Sequence, residues 1–458
     1  MRGTQPHAAR LNAFQRVMFQ WTQLHPYNAT HTYKLAGPLR LDDFADALRQ
    51  TYRHLGLGIV EVAPDGSTFH HETHDTPEVE VLAGGEDPES CQAAHTTRQL
   101  NLPFARPRFR PLRFAVLEAG PQAHFVTVTY DHWVADSVAM RLILRHALGR
   151  YLDLEIPAND RTPSLYPATY RTVFGHRVGG LHAAMAGMRW FGQWFRNRSA
   201  AQVAYSSITQ MAVNYESHWT PPGTAGRLAG FARHLGVTVH DVVLAALARA
   251  MAEHLPRKSL SGKGRQLALG SIVDTRPDAR DDLSESLGTF LGYYVVRCRP
   301  QGGETLGELA QHMAADTRPI KAGRRYLDSL VGMKVISACW PRLSDVVRPR
   351  FARRSLPLTA GVSNVLMRDP WMVPDADGPI LSYCRAAPTG PNLPLVVAPT
   401  TWGQNMNIGF TYRMTGFPRA KIDGVMARFL DEIENPLSSG LQVPAPVRSR
   451  RLPHHRAA

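Results

Sequence analysis

Apolar residues recur along this chain with two different periods, and their alternation predicts a mixed α/β protein. In 124–130, Val126, Val128 and Tyr130 stand at every second position, the pattern of a half-buried strand. Directly after it, Val138, Met140, Leu142, Ile143, Ala147, Leu148, Tyr151 and Leu152 follow helical spacing. The joint between them reads Asp131-His132-Trp133-Val134-Ala135-Asp136-Ser137, with Ser137 a residue type suited to the helix N-cap. The same periodicities predict a helix around 11–19, a strand at 30–37 and an amphipathic helix at 41–55 that Asp42 or Asp43 helps to start. A loop rich in Asp, Glu, Gly and Pro follows at 83–90, then strands at 112–118 and 125–130.

Residues 153–175 read as a Pro- and Thr-bearing connection. The stretch 177–198 is basic and amphipathic, with Leu181, Met185, Met188, Phe191, Trp194 and Phe195. Such a helix suits a membrane surface or the cover of a tunnel, but apolar stripes at this spacing ordinarily pack on the core, and that is the expectation. The pattern restarts at Trp219-Thr-Pro-Pro-Gly-Thr224. Helices follow at 227–234, 239–254, within 305–345 and at 420–434, with strands at 267–273, 394–399 and 405–412 and a strand-like segment at 287–296. With 458 residues the chain exceeds one ordinary core, and two domains are expected: 1–215, 216–440, and then a basic disordered tail, 441–458.

Four scattered cysteines fit neither a disulfide framework nor a zinc ribbon and favour a reducing cytoplasm. No apolar stretch approaches the ~20 residues that span a bilayer, so neither export nor a transmembrane anchor is expected. A net charge of +14 invites a nucleic-acid reading, but no zinc-finger, RNA-recognition or basic-zipper signature accompanies the arginines. Most arginines in the clusters at 106–113, 348–354 and 448–456 read as solvated surface; a functional cluster among them would take an acidic partner, such as a phosphorylated cofactor or an acyl carrier protein, ahead of nucleic acid.

Candidate chemistry centres on the 131–137 joint. A strand delivers His132 to a turn at a helix start, where free N–H groups and partial positive charge suit a developing oxyanion while the imidazole accepts a proton. Rival motifs are incomplete. Gly361-Val-Ser-Asn-Val365 lacks the second glycine of a nucleophile elbow, and Gly56-Leu-Gly-Ile-Val-Glu61 is no full dinucleotide fingerprint. His70-His71-Glu72-Thr73-His74 reads as a solvated loop with no distant ligand pair to complete a metal site, so no metal is expected.

Taken in order, several segments resemble the thioester-dependent acyltransferase superfamily of chloramphenicol acetyltransferase, peptide-synthetase condensation domains, polyketide-associated acyltransferases and bacterial wax-ester synthases. The family pattern His-His-x-x-x-Asp-Gly reads here Asp131-His132-Trp133-Val134-Ala135-Asp136-Ser137. Leu102–Phe114 is similar to the lead into the catalytic strand. Thr238-Val-His-Asp-Val-Val-Leu-Ala-Ala246 is similar to a helix start, with His240 for asparagine. Val273-Asp-Thr-Arg-Pro277 carries the family arginine. Leu287-Gly-Thr-Phe290 with Arg297 resembles a further block, with Gly292 where asparagine is usual, and Gly361–Val365 resembles a strand near the channel.

The resemblance implies two chloramphenicol-acetyltransferase-like subdomains in a V, α/β in class, around a central channel that donor and acceptor enter from opposite faces. It implies His132 as general base, Asp136 as a structural partner of Arg276 holding the loop, and the Ser137 N–H near the oxyanion, with a side chain that narrows the space. Asp131, Trp133, Tyr293, Ser363 and Asn364 are expected along the channel. Asp131 either raises the His132 pKa as a neighbouring charge or faces inward as a hydrogen-bond acceptor.

The implied reaction moves an acyl group from a thioester, on coenzyme A or a phosphopantetheinyl carrier protein, to a hydroxyl or amine of a small acceptor. The setting is secondary-metabolite or lipid biosynthesis, in a monomer with no permanently bound cofactor. The competing reading is a catalytically idle module that recruits a carrier protein or tailoring enzyme.

Overall fold

The computed structural model describes residues 7–73, 77–154, 164–165, 170–255, 266–301, 303–367 and 378–436. The tail predicted at 441–458 lies outside them.

Two large mixed sheets carry the fold, beside a four-stranded and a two-stranded sheet among the described residues. The first has five strands in the order Ile380–Ala386, Asn28–Ala36, Ala123–Asp131, Leu112–Glu118, Val79–Leu82. Its alternating apolar face receives the helices Leu41–Leu55 and Ser137–Tyr151, whose Phe44, Leu48, Leu144 and Leu148 are fully buried. The second sheet is built on Val213–Trp219, Asn405–Arg413, Leu395–Trp402, Ala360–Val362, Leu267–Asp274 and Leu291–Cys298 in that order, with Val365–Met367 also paired to Leu395–Trp402. Against it lies the helix Val239–His254, where Val242 through Ala248 are sealed from water. A capping box explains its start: the Thr238 hydroxyl accepts from the Asp241 N–H, and the Asp241 carboxylate accepts from the Thr238 N–H. Among the described residues no single helix is long and apolar enough to cross a membrane.

One strand ties the sheets together. Ile380–Ala386 comes from the second half of the chain yet pairs antiparallel with Asn28–Ala36 at the edge of the first sheet. It carries Tyr383 and Arg385 toward the region between the lobes.

Three sequence expectations are corrected. The 83–90 loop ends early: Asp87 caps a helix, Pro88–Asn101, accepting from the Ser90 N–H with Pro88 at the first helical position. The His70–His74 cluster is no solvated loop, because Thr68–Thr73 is a strand paired on both sides and His71 is buried; His74 lies outside the described residues. The stretch 177–198 contains the helix Gly180–Asn197, but Leu181, Met188, Phe191 and Phe195 face solvent instead of the core.

Candidate functional site

The strand Ala123–Asp131 fixes the direction of each side chain in the joint that follows. Period two puts Val126, Val128, Tyr130 and His132 on one side and Asp131 on the other. The Tyr130 and His132 rings lie 5.6 Å apart, and Tyr27 stands 5.8 Å from His132 on another side. The His132 backbone N–H donates to the Tyr27 carbonyl at 3.1 Å, which fixes the turn that carries the ring.

His132 is only 9% exposed and looks into a narrow cavity of about 90 Å³, shared with Phe14, Met18, Trp21, Tyr293 and Ser363. Burial lowers its pKa to about 4, with Arg385 adding in the same direction, while its own carbonyl and the Asp136 charge oppose. Its Nδ1 is buried and makes no hydrogen bond. At neutral pH the ring is therefore uncharged and can accept a proton.

Asp136 has a different task. It is the N-cap of Ser137–Tyr151, a place that the sequence assigned to Ser137; its Oδ1 accepts from the Val138 and Ala139 N–H groups at 3.1 and 2.9 Å. Arg276 grips the same carboxylate with both terminal nitrogens, at 2.7 and 3.0 Å, and the Phe290 N–H adds a bond of 2.8 Å. Burial alone would raise this carboxyl, but Arg276 and the N–H donors hold it below its ordinary value. The segment 288–290 completes the clamp. The Gly288 carbonyl accepts from the Asp136 N–H at 3.0 Å, and the Thr289 hydroxyl donates to the carbonyls of His132 and Trp133 at 3.3 and 3.0 Å. Gln15 donates to the Trp133 carbonyl at 3.0 Å.

Ser137 is the first residue of the helix. Its hydroxyl accepts from Arg141 at 3.1 Å and lies within reach of Tyr383.

Three expected channel residues point elsewhere. Asp131 turns away from His132 because it lies on the opposite face of the strand; it accepts from Arg106 at 2.5 Å and from the Trp133 Nε1 at 3.0 Å. Burial raises it to about 6, and it does not bear on the His132 ring. Trp133 is sealed among Phe19, Phe69 and Phe109. Asn364 is absent from the cavity wall, to which Ser363 and Tyr293 contribute.

The sequence also left several neighbours unassigned. His31, fully buried, receives the Tyr383 hydroxyl at its Nδ1 at 2.7 Å and meets the Tyr130 hydroxyl at its Nε2 at 3.3 Å. Burial, then Arg141 and Arg385, push its pKa well below the usual histidine range. Arg385 is buried too, bonded to Thr400 at 2.9 Å and to the hydroxyl and carbonyl of Ser363. Tyr130 was within reach of period-two counting from His132; His31, Tyr383 and Arg385 required knowledge of strand pairing. Of the family-like positions, His240 bonds Ser271 at 2.7 Å. Gly292 leaves no room for more, since an added Cβ would sit 3.1 Å from the Tyr326 carbonyl oxygen and 3.1 Å from a Thr275 methyl. Among the described residues no group of three His, Cys, Asp or Glu stands close enough to hold a metal.

Comparison with known proteins points to a family. A family model described as "Condensation domain" matches residues 6–331. A plipastatin synthase of Bacillus subtilis is 22% identical over 303 residues, 63% of this chain and 11% of the relative, and bacitracin synthase 3 of Bacillus licheniformis is 28% identical over 154 residues, 32% of this chain and 2% of the relative. The chain thus spans a small part of the length of these relatives. The first condensation domain of the calcium-dependent antibiotic synthetase superposes with a TM-score of 0.69 at 15% identity, covering 94% of this chain and 97% of that one. The cyclization-docking bidomain of EpoB from Sorangium cellulosum gives 0.63 at 13% identity, covering 93% and 83%. These superpositions establish the two-lobed fold.

Proposed function

Because the chain belongs to the condensation-domain family, we propose that it transfers an acyl group from a thioester donor to an amine or hydroxyl acceptor, with His132 as the base. The observation that carries the reading is an uncharged His132 facing an apolar cavity between the lobes. In this scheme the imidazole takes the proton of the acceptor as its N or O attacks the thioester carbonyl. The new C–N or C–O bond forms, the C–S bond breaks, and the thiolate leaves with the proton returned from the imidazolium. The Ser137 N–H, left free because Asp136 already caps those of Val138 and Ala139, faces the developing oxyanion. Asp136 and Arg276 hold the loop and stay out of the proton path.

Family membership favours a donor carried on phosphopantetheine over free coenzyme A, and a carrier protein as the partner that presents it. An apolar wall suits an acyl or aminoacyl chain with little charge. The test is intact-protein mass spectrometry of a carrier loaded with acyl thioesters and mixed with the purified chain and a panel of amines and alcohols. Loss of acyl groups from the carrier with matching amide or ester product supports the reading. Stable binding of the loaded carrier with no product from any pair would instead support the recruiting module.

A further inference from the structure

The helix Gly180–Asn197 presents its apolar stripe to water. Leu181, Ala184, Met188, Phe191 and Phe195 succeed one another by three or four positions and share one face. On that face Leu181 is 73% exposed, Met188 68%, Phe191 58% and Phe195 62%. The helix is nevertheless firmly seated by its other side. Trp190 packs over Gly332 and donates to the Tyr293 hydroxyl at 2.8 Å, Gln193 donates to the Val295 carbonyl at 3.1 Å, and Arg189 forks onto Asp328 with two bonds of 2.7 Å. One exposed apolar residue is ordinary, but a continuous ridge of them marks an interaction surface.

Charge surrounds this ridge. Its C-terminal end runs through Phe191 to Trp194, ring to ring at 5.4 Å; Trp194 donates to the Arg354 carbonyl at 2.9 Å, and Arg198 lies 5.1 Å over the Trp194 ring. Beyond it opens a depression of about 500 Å³ lined by Arg198, Arg350, Arg353 and Arg354 with Ile208 and Pro357, and no carboxylate lines it. Asp345, the acid nearest in sequence to these arginines, is held by Arg348 at 2.5 Å. The other flank is a depression of about 570 Å³ that carries Arg196, Arg297 and Arg325 alongside Asp316 and Asp328. The helix itself contains no acidic residue.

We infer that this face docks onto an anionic membrane surface, with the helix lying in the interfacial plane. The apolar ridge enters the acyl boundary, and the Arg198–Arg350–Arg353–Arg354 depression receives lipid phosphates. A convex ridge between cationic flanks matches a deformable anionic surface, whereas a folded partner would need a complementary groove. The net charge of +14 acts in the same direction. The inference stands apart from the acyl-transfer reading, because no residue of the ridge or of the arginine depression lines the His132 cavity.

Co-sedimentation of the full chain with vesicles tests it, using phosphatidylcholine alone and phosphatidylcholine mixed with phosphatidylglycerol, at low and high salt. Binding is expected to be about tenfold or more tighter to the anionic vesicles and to weaken with salt. Phe191→Asp with Phe195→Asp should bring it to background, and Arg350→Glu with Arg354→Glu should cost about tenfold or more on anionic vesicles alone. Leu181→Gln with Met188→Gln, which adds no charge, should also weaken binding, and circular dichroism verifies that each variant is folded. The inference is overturned if the wild-type chain shows no preference for anionic vesicles, or if the folded variants bind as it does. It is equally overturned if vesicles are not bound and the substitutions abolish only self-association or capture of an acidic carrier protein.

Discussion

Arg276 holds Asp136 with both terminal nitrogens, at 2.7 and 3.0 Å, although 140 positions separate the two residues in the chain. The pair joins the turn after His132 to the strand-end loop of the second lobe, and both side chains are sealed from water. Removing one partner of a buried pair leaves an uncompensated charge. Asp136→Ala or Arg276→Ala should therefore each destabilise the protein by about 3–5 kcal/mol in chemical denaturation. An Asp136→Leu, Arg276→Met double variant should recover much of that stability yet leave acyl transfer impaired, because the turn has lost its grip.

The lowered pKa of His132 sets the expected pH profile. Its base function needs the neutral ring, so kcat/KM should lose its acid limb near pH 4, not near the usual histidine value. A limb near 6.5, free of any other titration, would show that the ring is not buried as described.

Stability should follow the same groups with a definite sign. Burial lowers His132 and His240 to about 4 in the folded chain, so between about 6.5 and 4 the unfolded chain binds protons that the folded chain refuses. Their full contribution is present above the unfolded value and is lost as pH falls through this window. Each of the two histidines steepens the loss by at most about 1.4 kcal/mol per pH unit, measurable as denaturant midpoints at pH 7, 6 and 5.

Asp131 stands where the family resemblance leads one to expect a histidine, and it faces Arg106 and Trp133, away from the His132 ring. Asp131→Asn should cost about 1–3 kcal/mol of stability and leave the acid limb of kcat/KM in place. A shifted limb would mean that the carboxylate acts on His132 after all.

Two other positions that the resemblance marks as unusual have surroundings that substitution can probe. Ser137→Gly removes the hydroxyl beside Arg141 and Tyr383 at the helix start; it should raise kcat/KM for bulky donors at a stability cost of no more than about 1 kcal/mol. Gly292→Asn places the residue that the resemblance suggests but drives a Cβ toward the Tyr326 carbonyl, and it should lower the melting temperature.

Much of this architecture was legible in the sequence where periodicity was long and uninterrupted. The helices 41–55 and 239–254 begin and end where their apolar spacing does. The Pro88–Asn101 helix escaped because its inward face is polar, with Gln92, His95, Thr96 and Gln99 buried, so no apolar stripe announced it. The strand Ile380–Ala386 escaped because it owes its place to edge pairing with Asn28–Ala36, a long-range fact that local pattern does not encode. The stripe of Gly180–Asn197 was visible but its direction was not: spacing shows that apolar residues share a face, and only tertiary packing decides what that face meets. In the site, His132 and Asp136 stood out from their spacing, and the family resemblance added Arg276. His31, Tyr383 and Arg385 come together only through the pairing of strands from both halves of the chain.

The most direct measurement is single-turnover acyl transfer from a loaded carrier by the wild-type chain and by His132→Ala, with thermal unfolding of both. The predicted result is a rate lower by about 10²- to 10⁴-fold in a variant that remains folded. A folded His132→Ala protein that transfers the acyl group at the wild-type rate would contradict the assignment of the base.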